Sequence, residues 1–406
     1  MPTLASTSRV QLAYILESVF GTTPVAGNGV YLRCTGESMN FDITKEQSKE
    51  LRSDRQLSSV VPVGAQAAGG FNFHLNYGEY DPFLQSLLQN APVVFGTGGE
   101  SGTGSTVSFT ATTLTASVAT SGADIWTGLQ LGQWFRVSAG ADVNNGKLLR
   151  VSTITPPTTT VITLDVSTPA TVSAAVAAVK LQSARFTNGV TQTSFTIEKQ
   201  MADVAQVLVF KGMTPSKMSL KIAAGALTDG SFDFLGSKST RGVVTALPGT
   251  LVASKTYDIH NGASGVGQIW ENGLPLTSTF IKTLSLDYDN NQRPQQAIGT
   301  LGLVGIGAGT INIKGTLEAY FADGAQYDRF IANAYTAITV ASQDSAGNGY
   351  VITLPKVSLM SAKIVAGAKD QDLMANFEIM AVADDSNAVA ALRKEIFIDR
   401  VGVALT

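Results

Sequence analysis

Met39-Asn40-Phe41-Asp42-Ile43, near the start of the chain, and Leu284-Ser285-Leu286-Asp287-Tyr288, far beyond it, carry the same pattern. Each alternates apolar and polar residues with an aspartate in the same slot, as a strand does when one face meets a core and the other water. Gly70-Phe71-Asn72-Phe73-His74-Leu75 is echoed by Gly309-Thr310-Ile311-Asn312-Ile313-Lys314. An aspartate-led amphipathic stretch follows each: Tyr80-Asp81-Pro82-Phe83-Leu84, then Tyr327-Asp328-Arg329-Phe330-Ile331. A shorter hairpin closes each set. Lys217-Met218-Ser219-Leu220-Lys221-Ile222 returns through Gly230-Ser231-Phe232-Asp233-Phe234, and Val357-Ser358-Leu359 through Asn376-Phe377-Glu378-Ile379. Long hairpin, helix, short hairpin thus occurs twice, which predicts an internal duplication.

The chain of 406 residues has room for two or three domains, and 44% apolar residues suffice for their cores. Only 15% of residues are charged and the net charge is −3, so there is no basic field with which to grip nucleic acid. The 40 glycines, with abundant Thr, Ser and Val, point to many short strands and turns. A single cysteine, Cys34, excludes an internal disulfide framework and suits a reducing cytoplasm. The start, Met1-Pro2-Thr3-Leu4-Ala5-Ser6-Thr7-Ser8-Arg9, lacks a secretory signal pattern, and apolar runs are broken well before the ~20 residues of a membrane span. A soluble, cytoplasmically made, mainly β protein with a few short helices is expected.

Val10 to Ile15 reads as a strand, ended by the turn chemistry of Phe20-Gly21-Thr22-Thr23-Pro24. After the strand at 70–77, Asp81 as N-cap, Pro82 at the first helical position and apolar residues at 83, 84, 87 and 88 predict a helix. The composition changes at Pro92. Gly96 to Ser105 has linker content, and short Thr/Val/Ser-rich strands follow to about 183. Asp124-Ile125-Trp126, Gly132-Gln133-Trp134-Phe135-Arg136-Val137 and the turn Asn144-Asn145-Gly146 are fixed points there. The second set has no counterpart, so this block is expected to be an inserted β-domain. The division is 1–92 and 184–250 for the interrupted first domain, 93–183 for the insertion and 251–406 for the second domain. A helix over 388–394 and a strand at Ile396-Phe397-Ile398 complete the chain.

Period-two alternation sorts the hairpins onto two faces. Met39, Phe41, Ile43, Phe71, Phe73, Leu75, Met218, Leu220, Phe232, Phe234, Leu284, Leu286, Ile311, Ile313, Phe377 and Ile379 form the apolar face. Opposite lie Asn40, Asp42, Asn72, His74, Asn76, Ser219, Lys221, Ser231, Asp233, Ser285, Asp287, Asn312, Lys314, Asn376 and Glu378. That polar, faintly acidic set is either the wet side of an ordinary antiparallel sheet or the lining of a water-filled channel.

Val10-Gln11-Leu12-Ala13-Tyr14, Phe20-Gly21-Thr22-Thr23-Pro24, Leu32-Arg33 with Thr35-Gly36-Glu37-Ser38, Leu51-Arg52-Ser53-Asp54-Arg55-Gln56 and Gly69-Gly70-Phe71 running to Tyr80-Asp81 resemble major tail tube proteins of long-tailed, non-contractile bacteriophages. The resemblance is good over 9–90, moderate over the insertion and weaker beyond. It implies a β-sandwich or barrel domain with an inner sheet of two hairpins, a flanking helix and a long loop reaching the next ring. Six such domains per ring, their hairpins joined in an inter-subunit β-barrel, would line a tube for genome passage. With two domains per chain, three chains would supply the ring: a homotrimer with pseudo-hexameric symmetry.

On this resemblance the expected lumen-lining residues are Asn40, Asp42, Asn72, His74, Asn76, Lys221, Asp233, Asp287, Asn312, Lys314 and Glu378. The long connections, about 45–68 and 290–308, supply Lys45, Glu46, Lys49, Glu50, Arg52, Asp54, Arg55, Asn291 and Arg293 as inter-ring contacts, a solvated arm being the alternative. Implied partners are copies of the chain, tail terminator, tail tip and tape-measure proteins, and double-stranded DNA in transit, with no membrane insertion. The expected location is the virion tail after assembly in the host cytoplasm.

No enzyme is expected. His74 and His260 lack metal-ligand spacing, and the Gly-rich runs at 96–104 and 302–309 lack the Gly-Lys-Ser/Thr of a phosphate loop. Cys34 reads as buried filler, and Trp126 and Trp134 as core packing rather than a sugar platform. No cofactor or metal is expected. A receptor-binding, adhesin-like trimeric virion protein is the alternative, resting on the insertion and its Thr/Ser-rich strands; a carbohydrate-active enzyme is third.

Overall fold

The computed structural model describes residues 4–95, 106–117, 128–158, 160–177, 179–263, 266–276, 280–321, 324–365, 369 and 371–402. The described residues are mainly antiparallel β with two short α-helices. Eight strands form one continuous ladder: β1 (Asn40–Gln47), β2 (Val60–His74), β3 (Gln206–Ala223), β4 (Asp229–Gly236), β5 (Ile281–Asp289), β6 (Asn312–Tyr320), β7 (Gly349–Val365) and β8 (Met374–Ala381). Across the sheet they run β1-β2-β4-β3-β5-β6-β8-β7, each antiparallel to its neighbours. The first four and the last four follow one order, and the β3–β5 ladder joins the two sets.

β3 and β7 are long, 18 and 17 residues, because each serves two layers. The first part of β3 pairs with strands Ser194–Met201 and Lys238–Gly242, and its second part with β4 and β5. The first part of β7 pairs with Thr336–Gln343 and Phe397–Val401, and its second part with β8. Between the two parts each strand shifts register, at Pro215/Lys217 in β3 and Leu359/Ser361 in β7. An unpaired extra residue bends a strand and raises its twist, which lets one strand pass between layers. A second irregularity also recurs, at Phe195/Ile197 opposite β3 and Thr336/Ile338 opposite β7.

Walking across the ladders from these bulges matches Asn40 with Asp287, Phe41 with Tyr288, Phe71 with Leu317 and Asp233 with Glu378. Gly69 and Gly315 also fall together, for a shared steric reason. A Cβ on Gly69 would stand 2.2 Å from the Ser38 carbonyl oxygen, and one on Gly315 2.3 Å from that of Ser285. This corrects the sequence alignment, which set Asp42 against Asp287 and Gly70 against Gly309. The first is a two-residue slip, which leaves every side chain on its own face so that alternation cannot detect it; the second is seven residues out, since Gly70 falls on Thr316 and Gly309 lies before β6 begins.

The main core lies beneath the apolar face. Phe71, Phe73, Phe232 and Phe234 pack with Tyr14, Tyr80, Phe83 and Phe195 in one aromatic cluster. Helix α1 (Asp81–Leu88) buries Phe83, Leu84, Leu87 and Leu88 in it. The expected N-cap role of Asp81 does not hold. Tyr80 occupies that position without a side-chain bond, while the Asp81 carboxylate accepts the Tyr350 hydroxyl at 2.6 Å and pairs with Arg400. Helix α2 (Ala325–Ile331) lies against β7 with Ile331 largely and Tyr327 partly exposed.

Within 93–183, strands Val161–Thr163, Thr113–Ala116, Thr106–Phe109 and Ser173–Ala177 make a separate small sheet. This segment has its own hydrophobic cluster, including Val107, Phe109, Leu114, Phe135 and Ile162. The linker read at 96–105 and Asp124-Ile125-Trp126 lie outside the described residues. Trp134 is buried as expected, but against Trp270 at 4.6 Å, so its packing ties this segment to the second half. Beside it the buried Arg185 guanidinium holds Asp399 through two contacts of 2.7 Å. The helix expected over 388–394 is only a 3-10 turn, Ala390–Leu392, before the strand Phe397–Val401.

Candidate functional site

The polar face of the eight-stranded sheet is a broad, ordered array of polar and charged side chains. Its register aligns the residues in rows running across the strands. One row is Asn72, Ser231, Ser219, Asp287, Lys314; the next is His74, Asp229, Lys221, Ser285, Thr316, Glu378, Ser361. Asp233, Lys217, Asp289 and Asn312 make a third. Asn40 and Asp42 lie on β1 at one margin. Of the expected lining residues, Asn40, Asp42, Asn72, Lys221, Asp233, Asp287, Lys314 and Glu378 are exposed, and His74 and Asn312 half-exposed.

Asn76 is the exception and a correction. It lies beyond the end of β2, fully buried, in a bridge to Ile259. The chain leaves the sheet at His74, so the alternation that put Asn76 on the wet face no longer applies. Ile43, expected in the core, is 43% exposed for a related reason. β1 and the start of β2 run past the core as a projecting hairpin, and from Thr44 to Gln47 β1 is exposed on both faces.

Sequence reading found Asp42, Asp233, Asp287 and Glu378 on this face but missed Lys217, Asp229, Asp289, Glu318 and Lys363. Asp229, Asp289, Glu318 and Lys363 sit near strand ends and Lys217 directly after the β3 bulge, where alternation gives little warning, and cross-strand register brings them in. Lys217 meets Asp289 at 2.9 Å, His74 meets Asp229 at 2.7 Å, and Lys282 meets Glu318 at 3.3 Å. The bond to Asp289 raises the pKa of Lys217. Such solvated pairs add only about 0–1 kcal/mol each. Their effect is on the field: most carboxylates have a lysine neighbour, and Asp42, Asp229, Asp233, Asp287, Asp289, Glu318 and Glu378 still outnumber Lys217, Lys221, Lys282, Lys314 and Lys363.

The two expected arms differ. The connection in the first hairpin is shorter than read, 48–59, because Lys45 and Glu46 belong to β1 and pairing resumes at Val60. Lys49, Glu50, Arg52, Asp54 and Arg55 are exposed on it, with Arg52 and Asp54 paired to each other. The connection between β5 and β6 is a small folded ladder, Arg293–Gln295 with Gly305–Gly307, and it is docked on the first half. Ala65 N–H donates to the Leu301 carbonyl at 2.8 Å, the Ser237 hydroxyl to that of Leu303, and Leu303 and Ile306 are buried. Asn291 and Arg293 remain exposed on this ladder.

Elsewhere little suggests chemistry. Among the described residues no group of three or more His, Cys, Asp or Glu could hold a metal ion. Also among them, no helix is long and apolar enough to cross a membrane. Cys34 is half-buried and burial pushes its thiol pKa up, the opposite of a reactive thiolate. His260 is buried, with Nδ1 3.1 Å from the Ser342 hydroxyl, and burial holds its pKa down to about 4.

A mainly β protein with a broad wet sheet and two sheet margins without a described partner strand offers edges on which further strands can pair. The family model for phage tail tube proteins matches residues 7–381, nearly the whole chain, and the chain belongs to that family. It is accordingly a structural component of a virion, built to associate with copies of itself into a tube. No curated protein matches the sequence.

Proposed function

We propose that the chain is a tandem duplication of one tube domain, interrupted by an outer β-domain at about 93–183, and that three copies close into a ring. The supporting observation is the order β1-β2-β4-β3 followed by β5-β6-β8-β7, with matched bulges and a ladder already joining the two sets. Each chain brings eight strands, so a trimer closes twenty-four. At about 4.8 Å per strand and a tilt near 40°, that number gives a backbone cylinder roughly 48 Å across, and side chains reduce the bore to roughly 38 Å, wide enough for a DNA duplex. Rings then stack through arms such as 48–59, where mixed charge would set register more than strength.

In this reading the wet face lines the bore. DNA is held where Lys and Arg replace its counterions. Here lysines are engaged by neighbouring acids and the balance is slightly anionic, which favours transit over capture. Terminator, tip and tape-measure proteins would meet the tube at its ends and in its lumen. Symmetry analysis of electron micrographs of assembled tubes tests the proposal. Three chains per ring with the Asp287 face inward is the expected result, and six chains per ring or an outward Asp287 face overturns it.

A further inference from the structure

The β3–β5 ladder inside the chain has a counterpart that the chain alone leaves open. Along its second part β3 lies between β4 and β5, with Met218 opposite Tyr288, Ser219 opposite Asp287 and Leu220 opposite Leu286. The matched part of β7, Ser361 to Ile364, has β8 on one side and no described strand on the other. β1, matched to β5, pairs only with β2 among the described residues. We infer that β7 of one copy pairs with β1 of the next in the register of the β3–β5 ladder. The inference rests on the tube reading and adds to it the residues of the seam.

Transferring the register by the matched bulges sets Ser361 opposite Asp42, Ala362 opposite Phe41, Lys363 opposite Asn40 and Ile364 opposite Met39. The chemistry suits each place. Phe41, Ala362 and Ile364 are apolar but only half-buried in the single chain, and all three fall on the core face of the seam. The small Ala362 facing the large Phe41 takes the place of Met218 facing Tyr288. On the wet face, Lys363 stands beside Asn40 and diagonal to Asp42, within reach of the carboxylate. Ser361 and Asp42 take the places of the internal ion pair Lys217–Asp289, and the seam's lysine, Lys363, stands two residues further along, 4.0 Å from Glu378 of its own chain. A one-residue slip would turn Phe41 and Ile364 into water, so the core forbids it. A two-residue slip would keep the faces and set Lys363 directly opposite Asp42, and that competitor has to be separated by experiment.

Asn40→Cys with Lys363→Cys, in a Cys34→Ala background, places two thiols at directly opposed, exposed positions of adjacent copies. Oxidation, or a short bifunctional thiol reagent, applied to assembled tubes should link chains head to tail. The yield should be roughly tenfold above that of Asp42→Cys with Lys363→Cys, whose positions are diagonal in the inferred register. Single-cysteine variants should give no product. Tubes in which the Asp42/Lys363 pair links better, or neither pair links, overturn the register and leave the tube reading standing. Failure of the unmodified chain to form any tube overturns both. Should the double variant not assemble, hydrogen exchange on the unmodified chain decides. Segments 39–42 and 361–364 should exchange at least about tenfold more slowly in tubes than in free chains, and unchanged exchange in either segment refutes the seam.

Discussion

The two four-strand sets share a frame but not a filling. In the first, the matched core positions carry Phe71, Phe232, Phe234 and Phe195, and α1 is driven into them with Phe83 fully buried. In the second, the same places carry Leu317, Phe377, Ile379 and Thr336, and an apolar pocket remains beneath α2, lined by Leu276, Ile281, Leu317, Ile338, Leu359 and Phe377. The polar anchoring differs as well. Asp81 of α1 reaches Tyr350 and Arg400, so the first helix is fastened to the second half. Gln326 and Arg329 of α2 and nearby Thr336 all converge on Glu271. Ladder geometry therefore tolerates quite different cores, because backbone pairing fixes the frame and side-chain volume only sets how tightly a helix seats.

The sharpest way to break this contrast is to empty both helix seats. Phe83→Ala should lower unfolding free energy by about 3–5 kcal/mol, the usual cost of a large cavity in a packed core, whereas Phe330→Ala on the half-buried second helix should cost about 1 kcal/mol. Denaturant melts of the two variants measure it, and equal losses would show the helices to be equally seated. A second handle is the tie between the halves at His260. Its backbone bonds to Leu75 and Thr228 of the first half, and its ring meets Ser342 of the second. Its folded pKa of about 4 lies below the unperturbed value near 6.5, so the unfolded chain takes up the proton first. Stability should be full above about pH 6.5 and fall by about 3 kcal/mol as pH drops toward 4. His260→Gln should flatten that slope in melts run across the interval. The smallest expected effect sharpens the comparison from the other side. Leu317→Phe, restoring the residue type of matched Phe71, should fill space under α2 and add about 0.5–1 kcal/mol, read as a raised denaturation midpoint.

Much of this was legible in the sequence because alternation reports which face a residue takes. Ten of the eleven polar positions it singled out are exposed or half-exposed on the sheet, and helical spacing separately marked the segments of both α-helices. Alternation failed where the chain leaves the ladder, as at Asn76, and where a strand outruns its core, as at Ile43. Alternation also could not fix register: a two-residue slip is silent to it, so Asp42 was matched to Asp287 although Asn40 holds that place. Charge pairing escaped for the same reason, since Lys217 and Asp289 are distant in sequence and meet only through the β3–β5 ladder.

By itself, then, the amino-acid order determined that this is a mainly β protein whose strands carry one apolar and one polar face, because period and composition are local properties. Tertiary structure alone decided which strands are neighbours, which bulges correspond and which two margins stay open. Those depend on hydrogen-bond partners hundreds of residues apart, and no local pattern encodes a partner's register.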